Sequence, residues 1–376
     1  MSGLYIHVPY CHAKCAYCDF YSTPSDAGKE EFVNALLHEF QARRDEIPDP
    51  VDTLYIGGGT PSSLTTRLLD RIISALPTDE LTEFTIEVNP EDITENFTHW
   101  LRGTPITRVS MGVQSFDDVT LQAIGRRHTA AQAAEAIRRL QDTGLSISLD
   151  LIYGLPGQTI EKWEESVVNI LQFKPEHLSA YLLSYEPGTR LTAMLNAGKI
   201  QQVPTDTLVD MYHLLCRLTS SAGYDHYEIS NFARPGHQAR HNSSYWNLTP
   251  YLGLGPGAHS YDGARTRSYN PHDLRAYLSA SGIGVTVRET ESTDEAYNDF
   301  CMVSLRTKRG LDVALVHDLF GERIAEYTER IATSLAARQL LEFRQSAART
   351  GYCNYRIPET EWLTADATIT HFIRVN

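Results

Sequence analysis

Three cysteines lie close together near the start of the chain, at Cys11, Cys15 and Cys18. Thiolates are soft ligands, and a group of them favours zinc or an iron–sulfur centre. A structural zinc site usually has four closed ligands, often from two cysteine pairs, and no second pair lies nearby in the sequence. A [4Fe–4S] cube bound by only three thiolates leaves one iron open for a substrate or cofactor. The C-x3-C-x2-C spacing therefore favours an iron–sulfur cluster.

Two other interpretations of this motif stay open on the residues alone. The first is a zinc site that uses His12 or Asp19 as its fourth ligand. The second is a disulfide framework, which six cysteines in 376 residues do not favour. The remaining cysteines are isolated and are predicted to be small buried apolar residues. They are Cys216, Cys301 and Cys353.

The elements that must position these cysteines are six apolar runs that alternate with helical patterns. Such alternation predicts parallel βα units, and Pro9 ends the first run just before the cysteines. The expected fold is a partial, TIM-like (β/α)6 barrel followed by a small helical domain of winged-helix type. The predicted strands cover residues 4–8, 51–56, 84–88, 108–111, 145–151 and 177–183.

Polar and glycine residues cluster where these strands end, and in such barrels that face carries the chemistry. The glycines at 57–59 let a ligand approach the backbone, although a plain tight turn needs them equally. Glu87 ends a strand, and its carboxylate is able either to accept hydrogen bonds from a ribose or to lie exposed as a simple charge. The same choice applies to Gln114, Arg126 and Asp150.

Three domains are expected. The barrel covers 1–230, a connecting segment 231–285, and a C-terminal domain 286–376. Within the connecting segment, the part up to Asn270 is rich in glycine, proline and histidine and is predicted to be an ordered loop near the barrel mouth. In the C-terminal domain, residues 341–343 and 353–357 are predicted to pair as a wing.

Composition restricts the class of protein. The net charge of −14 argues against a nucleic-acid surface. The sequence contains no apolar run long enough to span a membrane, and no signal peptide precedes the cysteines. A cytoplasmic location is therefore expected, where thiols stay reduced.

The cysteine spacing resembles the signature of the radical S-adenosylmethionine (SAM) superfamily. Together with four further motifs, it resembles the oxygen-independent coproporphyrinogen III oxidase family through the barrel and, more loosely, to the C-terminus. The motifs cover residues 5–9, 57–61, 112–116 and 150–159.

This resemblance implies a [4Fe–4S] cluster on the three cysteines with SAM bound to it. Tyr5, Gly58 and Glu87 match positions that hold this SAM. A further set matches positions that line a second SAM or substrate site in the oxidase. This set is Tyr17, Gly59, Thr60, Gln114, Arg126, Asp150 and Leu182.

Two departures resemble a sister group, the haem chaperones called HemW. Phe20 stands where the oxidase has a fourth cysteine, and the oxidase's longer N-terminal extension is missing before Leu4. The sister group also carries an H-N-x-x-Y-W motif. Here it supplies His241, Tyr245 and Trp246 as candidates for haem contact, with His237 and His259 as alternative ligands.

The resemblance thus implies a haem chaperone that binds the cluster, SAM and haem. Its implied partners are an electron donor for the cluster and apo-haemoproteins, with respiratory-chain components as the expected recipients. The alternatives are a true coproporphyrinogen III oxidase of porphyrin biosynthesis, which Phe20 disfavours, or a radical SAM enzyme on another substrate. Whether SAM is consumed is open, so no residue is assigned a catalytic role.

Overall fold

The computed structural model describes residues 2–47 and 50–375. Its centre is a run of six parallel strands that lie side by side in chain order. They form the partial (β/α)6 barrel expected from the sequence. The strands are β1 Ser2–Val8, β2 Val51–Gly58, β3 Glu83–Val88, β4 Arg108–Gln114, β5 Ser146–Tyr153 and β6 His177–Leu182.

Helices connect these strands, and most begin at a side-chain cap. A threonine or aspartate precedes six of them and accepts a hydrogen bond from a backbone N–H of the first turn. Each such cap stabilises its helix by about 1 kcal/mol. The helices are α1 Lys29–Arg43, α2 Thr66–Ala75, α3 Glu95–Leu101, α4 Asp118–Ala123, α5 Ala130–Gln141, α6 Ile160–Gln172, α7 Arg190–Asn196 and α8 Thr205–Ser221.

The two faces of the barrel strands differ in chemistry because successive side chains alternate between them. Leu4, Ile6 and Val8 of β1 are fully buried in the apolar core. The alternate positions carry polar groups. Ser148 and His177, for example, are joined by a 2.8 Å hydrogen bond between β5 and β6. The inner face is therefore polar and suited to hold charged or hydrogen-bonding groups.

The part of the connecting segment predicted to be a loop is instead largely regular structure. β9 pairs in parallel with β1, and β10 to β12 extend the sheet beyond it with antiparallel strands. β7 and β8 extend the other edge beside β6. The elements are β7 Asp225–Glu228, β8 Asn231–Ala233, α9 Arg240–Trp246, β9 Tyr251–Leu254, β10 His259–Tyr261, β11 Thr266–Tyr269, α10 Leu274–Ser279 and β12 Val287–Thr290.

The last part of the chain combines four helices with a three-stranded antiparallel sheet. The predicted wing pairing is present, since β14 and β15 pair from Glu342↔Arg356 to Gln345↔Cys353. β13 pairs with the other edge of β15. The elements are α11 Thr293–Leu305, β13 Leu311–Asp312, α12 Val313–Phe320, α13 Glu322–Ala337, β14 Glu342–Gln345, β15 Cys353–Arg356 and α14 Ala365–Ile369.

Across residues 2–47 and 50–375, no helix combines the length and the apolar character that crossing a membrane requires.

Candidate functional site

The three cysteines lie on the loop that follows β1, at the C-terminal ends of the parallel strands. Cys11 donates its backbone N–H to the Thr23 carbonyl at 3.0 Å, which closes the loop on itself. The backbone N–H of Cys18 donates to the carbonyl of Cys15 at a longer distance of 3.4 Å. All three thiols are free and partly exposed. The loop therefore presents three unpaired thiols at the barrel mouth.

Arg126 connects this loop to the ends of two strands. Its Nη1 lies 3.6 Å from the sulfur of Cys15. Its Nη2 donates to Asn89 Oδ1 at 2.7 Å and to the Gly112 carbonyl at 2.6 Å. Asn89 in turn donates to Thr60 Oγ1 at 3.1 Å. The sequence suggested Arg126 and Thr60 separately, but it missed Asn89, whose place directly after β3 was the available signal.

Glu87 lies inside the barrel and is held at both carboxylate oxygens. Tyr55 donates its hydroxyl to Oε1 at 2.7 Å, and the backbone N–H of Gly58 donates to Oε2 at 3.1 Å. Burial raises the pKa of Glu87 to about 7, although the Tyr55 hydrogen bond opposes this shift. Glu87 is therefore not an exposed strand-end charge, and Tyr55 is a partner that the sequence did not indicate.

Asp150 is a second carboxylate on the inner face. Ser110 on the neighbouring strand lies 3.4 and 3.5 Å from its two oxygens. Burial raises the pKa of Asp150 to about 6, against the opposing effects of hydrogen bonding and of Arg108. The proximity of Asp150 also raises the pKa of Glu87. The lumen thus holds two carboxylates that repel each other's charge.

Gln114, at the end of β4, has an unusual backbone. Its φ of 68° lies in the left-handed region that non-glycine residues rarely adopt, and the pairing of β4 with β5 shifts register just before it. Its side-chain Oε1 is buried and, among the described residues, has no hydrogen-bond partner; Arg126 Nε is in the same state. Unpaired buried polar atoms at a strained strand end indicate a place for a polar ligand.

Gly58, the last residue of β2, and Gly59, which follows it, are required by the protein's own packing. A Cβ on Gly59 would lie 2.5 Å from the Tyr10 carbonyl oxygen, and one on Gly58 would lie 2.8 Å from the His7 ring. Gly58 also has a φ of 106°. These glycines bring the end of β2 against the cysteine loop, so their presence alone is no evidence of cofactor contact.

The remaining predicted cofactor residues also lie around the barrel interior or mouth. The Tyr5 hydroxyl is 3.1 Å from His7 Nδ1, and His7 Nε2 is 2.8 Å from the Tyr21 carbonyl on the cysteine loop. Tyr17 packs against a small apolar cluster that includes Ala16 of the cysteine loop. Leu182 is 39% exposed at the end of β6. His7 is a further connection that the sequence analysis missed.

The H-N-x-x-Y-W motif was expected near the barrel mouth, but it does not lie there. It forms α9, which packs at the opposite end of the barrel, where the parallel strands begin. The first backbone N–H groups of α9, on Arg240 and His241, donate to the Glu83 carboxylate at 3.0 and 2.9 Å. The prediction failed because β9 continues the sheet beside β1 and carries the preceding helix to that end.

His241 is fully buried there, and both of its ring nitrogens have partners. Nδ1 lies 2.9 Å from Thr53 Oγ1, and Nε2 lies 2.9 Å from the Tyr245 hydroxyl. Its ring stacks on Tyr55 with centroids 5.1 Å apart. Burial lowers the pKa of His241 to about 3, so the imidazole is neutral. Trp246 ends the same helix and is partly exposed.

These observations test whether the residues at the mouth suit a cluster and SAM. The three thiols are free and accessible on one loop, as a three-cysteine cluster requires. Unpaired atoms of Gln114 and Arg126 lie beside the same loop. The donor set therefore fits the two cofactors that the cysteine motif implies.

Comparison with known proteins gives concordant results. The family model described as the Radical SAM superfamily matches residues 5–168. The Heme chaperone HemW of Bacillus subtilis (strain 168) is 33% identical, covering 92% of this chain and 94% of that protein. The Heme chaperone HemW of Lactococcus lactis subsp. lactis (strain IL1403) is 35% identical over 86% of this chain and 89% of its own. The Heme chaperone HemW of Escherichia coli (strain K12) is 34% identical, covering 79% of this chain and 81% of that protein.

Among solved structures, coproporphyrinogen III oxidase (HemN) from Escherichia coli superposes with a TM-score of 0.82 and 22% sequence identity. The match covers 98% of this chain and 89% of the oxidase. At this identity the likeness establishes the shared fold.

Proposed function

This chain belongs to the HemW family of radical SAM proteins, and from that premise we propose that it binds a [4Fe–4S] cluster, SAM and haem and delivers haem to apo-haemoproteins. The observation that carries the proposal is the loop of three free cysteines at the barrel mouth, with Arg126 against Cys15. Relatives named Heme chaperone HemW support the haem part of the proposal.

Cys11, Cys15 and Cys18 are the proposed cluster ligands. When bound, a three-cysteine cluster supplies an open iron for SAM and an electron for its reductive cleavage. The chain's own part is to orient the loop. Gly59 donates its N–H to the Val8 carbonyl at 2.8 Å and Thr60 to the Tyr10 carbonyl at 2.7 Å, which fixes the loop to the end of β2. Ser22 Oγ lies 3.5 Å from Cys11 Sγ.

The proposed SAM contacts lie on the inner face next to this loop. Glu87 suits a ribose, because a carboxylate accepts hydrogen bonds from two hydroxyls. The backbone N–H of Gly58 donates to Glu87 Oε2 at 3.1 Å. Tyr5 lies near the same carboxylate, since burial and the Glu87 charge both raise the pKa of Tyr5. A second SAM or substrate is proposed to contact the residues that match the oxidase's other site. These are Tyr17, Gly59, Thr60, Gln114, Arg126, Asp150 and Leu182.

The haem contact needs a different account from the one that the sequence suggested. His241 has both nitrogens engaged, so ligation of haem iron by His241 requires α9 to leave the end of the barrel. Contact through Trp246 or Tyr245 would not need the imidazole. His237 and His259, the alternative ligands, are both exposed and need no such movement.

The wider setting of the proposal follows from the family. Haemoproteins of the respiratory chain are the proposed recipients, and a separate electron donor is needed to reduce the cluster. A cytoplasmic location is proposed, because free thiols persist in a reducing compartment. The division into domains 1–230, 231–285 and 286–376 also remains a proposal.

The decisive experiment measures haem transfer. Anaerobically reconstituted protein is loaded with haem, mixed with an apo-haemoprotein such as apomyoglobin, and followed by absorption, with and without SAM. We expect transfer that is faster than release from haem-loaded albumin. Failure to bind haem would contradict the chaperone proposal.

The same preparation is incubated with coproporphyrinogen III, SAM and a reductant. We expect no conversion to protoporphyrinogen. Phe20, whose side chain is 64% exposed on the cysteine loop, provides no thiol where the oxidase has a fourth cysteine. Decarboxylation that depends on SAM would favour the oxidase alternative instead.

A further inference from the structure

A second group of metal-ligating side chains lies far from the cysteine loop in the sequence. Cys216 of α8, His226 of β7 and Glu359, just after β15, come together from three segments. The Cys216 sulfur is 3.8 Å from His226 Nδ1, and that nitrogen is 3.0 Å from Glu359 Oε1. All three donor atoms lie within 4.8 Å of one another. Cys216 is therefore not the isolated apolar residue that the sequence suggested.

The spacing of these atoms matches the face of a tetrahedral zinc site. With Zn–S near 2.3 Å and Zn–N and Zn–O near 2.0–2.2 Å, neighbouring ligand atoms are roughly 3.3–3.6 Å apart. His226 Nδ1 lies 3.8 Å from the Cys216 sulfur and 3.0 Å from Glu359 Oε1, which are separations on either side of that range. Shifts of a few tenths of an ångström would bring each of these two pairs to zinc-ligand spacing, and the sulfur and the carboxylate oxygen lie within 4.8 Å of each other.

The imidazole of His226 is held in the orientation that a ligand needs. Its ring is 4% exposed, stacks on Phe232 with centroids 4.0 Å apart, and meets Trp362 edge-on at 4.5 Å. Nε2 faces the Ile229 carbonyl at 3.5 Å. Metal-bound histidines commonly direct their second N–H at such an acceptor, which leaves the other nitrogen free for the metal. Here Nδ1 faces the thiol and the carboxylate.

A simple ion pair between His226 and Glu359 would explain one of the two contacts. It does not require a thiol on the other side of the same nitrogen. Glu359 is also positioned independently, since Tyr212 donates its hydroxyl to the Glu359 carbonyl at 2.7 Å. The Glu359 side chain is 46% exposed, which leaves an entry path and room for a water as fourth ligand.

We infer that Cys216, His226 and Glu359 form a Zn²⁺ site, with water as the fourth ligand, that fastens the segment after β15 to α8 and β7. Imidazole, thiolate and carboxylate are all ordinary zinc ligands. Because Glu359 belongs to the C-terminal part of the chain and the other two ligands follow the barrel strands, bound zinc would stabilise the packing between these parts. The role is structural and independent of haem transfer.

The test uses full-length protein with its iron–sulfur cluster reconstituted. The protein is given one equivalent of Zn²⁺ and desalted, and its metal is measured by mass spectrometry and zinc-edge X-ray absorption. We expect about one zinc per chain with a first shell of one sulfur near 2.3 Å and nitrogen or oxygen near 2.0–2.2 Å. We also expect Cys216→Ser and Glu359→Gln to lower retained zinc at least tenfold, whereas Cys353→Ser retains it.

Zinc should also raise the Tm of the wild type and leave that of Cys216→Ser unchanged, because only a binding-competent fold gains from the ligand. Retention of no zinc by the wild type would overturn the inference. A first shell of three sulfurs would overturn it too, since that zinc would lie on the cysteine loop. Equal retention in Cys216→Ser, Glu359→Gln and wild type would have the same meaning.

Discussion

Arg126 Nη1 lies 3.6 Å from the sulfur of Cys15, although 111 positions separate the two residues in the sequence. Its pKa is raised despite burial, by the nearby Tyr17 and Cys15 groups, so the guanidinium stays charged. A fixed positive charge beside a proposed cluster ligand favours the reduced, more negative cluster. The hydrogen bonds to Asn89 and Gly112 hold that charge in place.

Replacing Arg126 should therefore change the cluster's potential more than its assembly. We expect Arg126→Gln to lower the reduction potential by ~100–200 mV, as removal of a unit charge roughly 4–7 Å away would do at an effective dielectric constant near 20. An EPR-monitored redox titration measures this shift. Arg127→Gln is the matched control, because Arg127 is adjacent and exposed. An unchanged potential with full iron content would show that the charge of Arg126 does not act on the cluster.

Removal of the proposed ligands gives a second prediction. Protein reconstituted anaerobically should hold about four irons per chain, as one [4Fe–4S] cube requires. The triple variant with Cys11, Cys15 and Cys18 changed to Ala should hold none. The Cys301→Ala variant, which lacks a thiol buried in the core, should keep full iron content. Tight binding of stoichiometric zinc on the cysteine loop, without iron, would be the contrary result.

The raised pKa of Glu87 predicts a pH-dependent stability. The folded state binds a proton up to about pH 7, whereas a free glutamate loses it near 4.5. Stability contributed by the protonated form is therefore lost as pH rises from 4.5 through 7. In ligand-free protein at pH 8, Glu87→Gln should raise the free energy of unfolding by up to about 3 kcal/mol relative to wild type. The Tm should rise accordingly, and both gains should be smaller at pH 5. A larger gain at pH 5 would contradict this.

The same substitution separates packing from ligand contact. A hydrogen bond to a charged group contributes about 1.5–3 kcal/mol, so loss of the Glu87 carboxylate should weaken SAM binding about 10- to 100-fold at pH 8. Isothermal titration of the cluster-loaded protein measures it. Glu95→Gln, an exposed change on α3, should bind like the wild type. Equal affinity in all three proteins would remove Glu87 from the proposed SAM site.

Local sequence patterns were sufficient for the barrel but not for its interior. The strand from Arg108 and the helix after Thr129 follow from apolar periodicity and capping, and both are present in the structure. The bond between Arg126 and Asn89 joins two different βα units, and no local pattern encodes it. Periodicity shows which residues face inward, whereas their partners depend on the register of neighbouring strands.

The glycines at the end of β2 show how a motif can carry two explanations. Their sequence suggested room for a ligand, and Gly58→Val would have seemed a clean test of cofactor contact. In the structure a Cβ at Gly58 meets the ring of His7, which is bonded to Tyr21 on the cysteine loop. Such a variant would disturb the loop itself. Glu87→Gln is the better test because it preserves the shape of the side chain.

α9 shows the limit of motif-based placement. The sequence identified His241 as a residue of interest, but it did not indicate that a strand, β9, would follow α9 and pair with β1. A helix that precedes a parallel strand enters at the beginning of that strand. The topology therefore set the position of the motif at the end of the barrel away from the cysteines.

The last prediction concerns the role of His241 in that position. His241→Ala removes a fully buried ring and leaves Thr53 Oγ1 and the Tyr245 hydroxyl without their partner. Lost packing and unpaired hydroxyls together should lower the free energy of unfolding by about 2–5 kcal/mol. Thermal unfolding should therefore shift down by several degrees. His237→Ala, an exposed change in the same segment, should leave it unchanged.

Acidity provides an independent check on the same residue. Burial lowers the pKa of His241 to about 3, below the ordinary value of 6.5, so the unfolded chain binds a proton that the folded one excludes. Stability from His241 is thus lost as pH falls from 6.5 towards 3, and the Tm difference between wild type and His241→Ala should shrink at pH 5. Iron content should stay constant, since the cysteines lie at the other end of the barrel. A variant with wild-type Tm but an altered haem spectrum would show instead that His241 acts on haem.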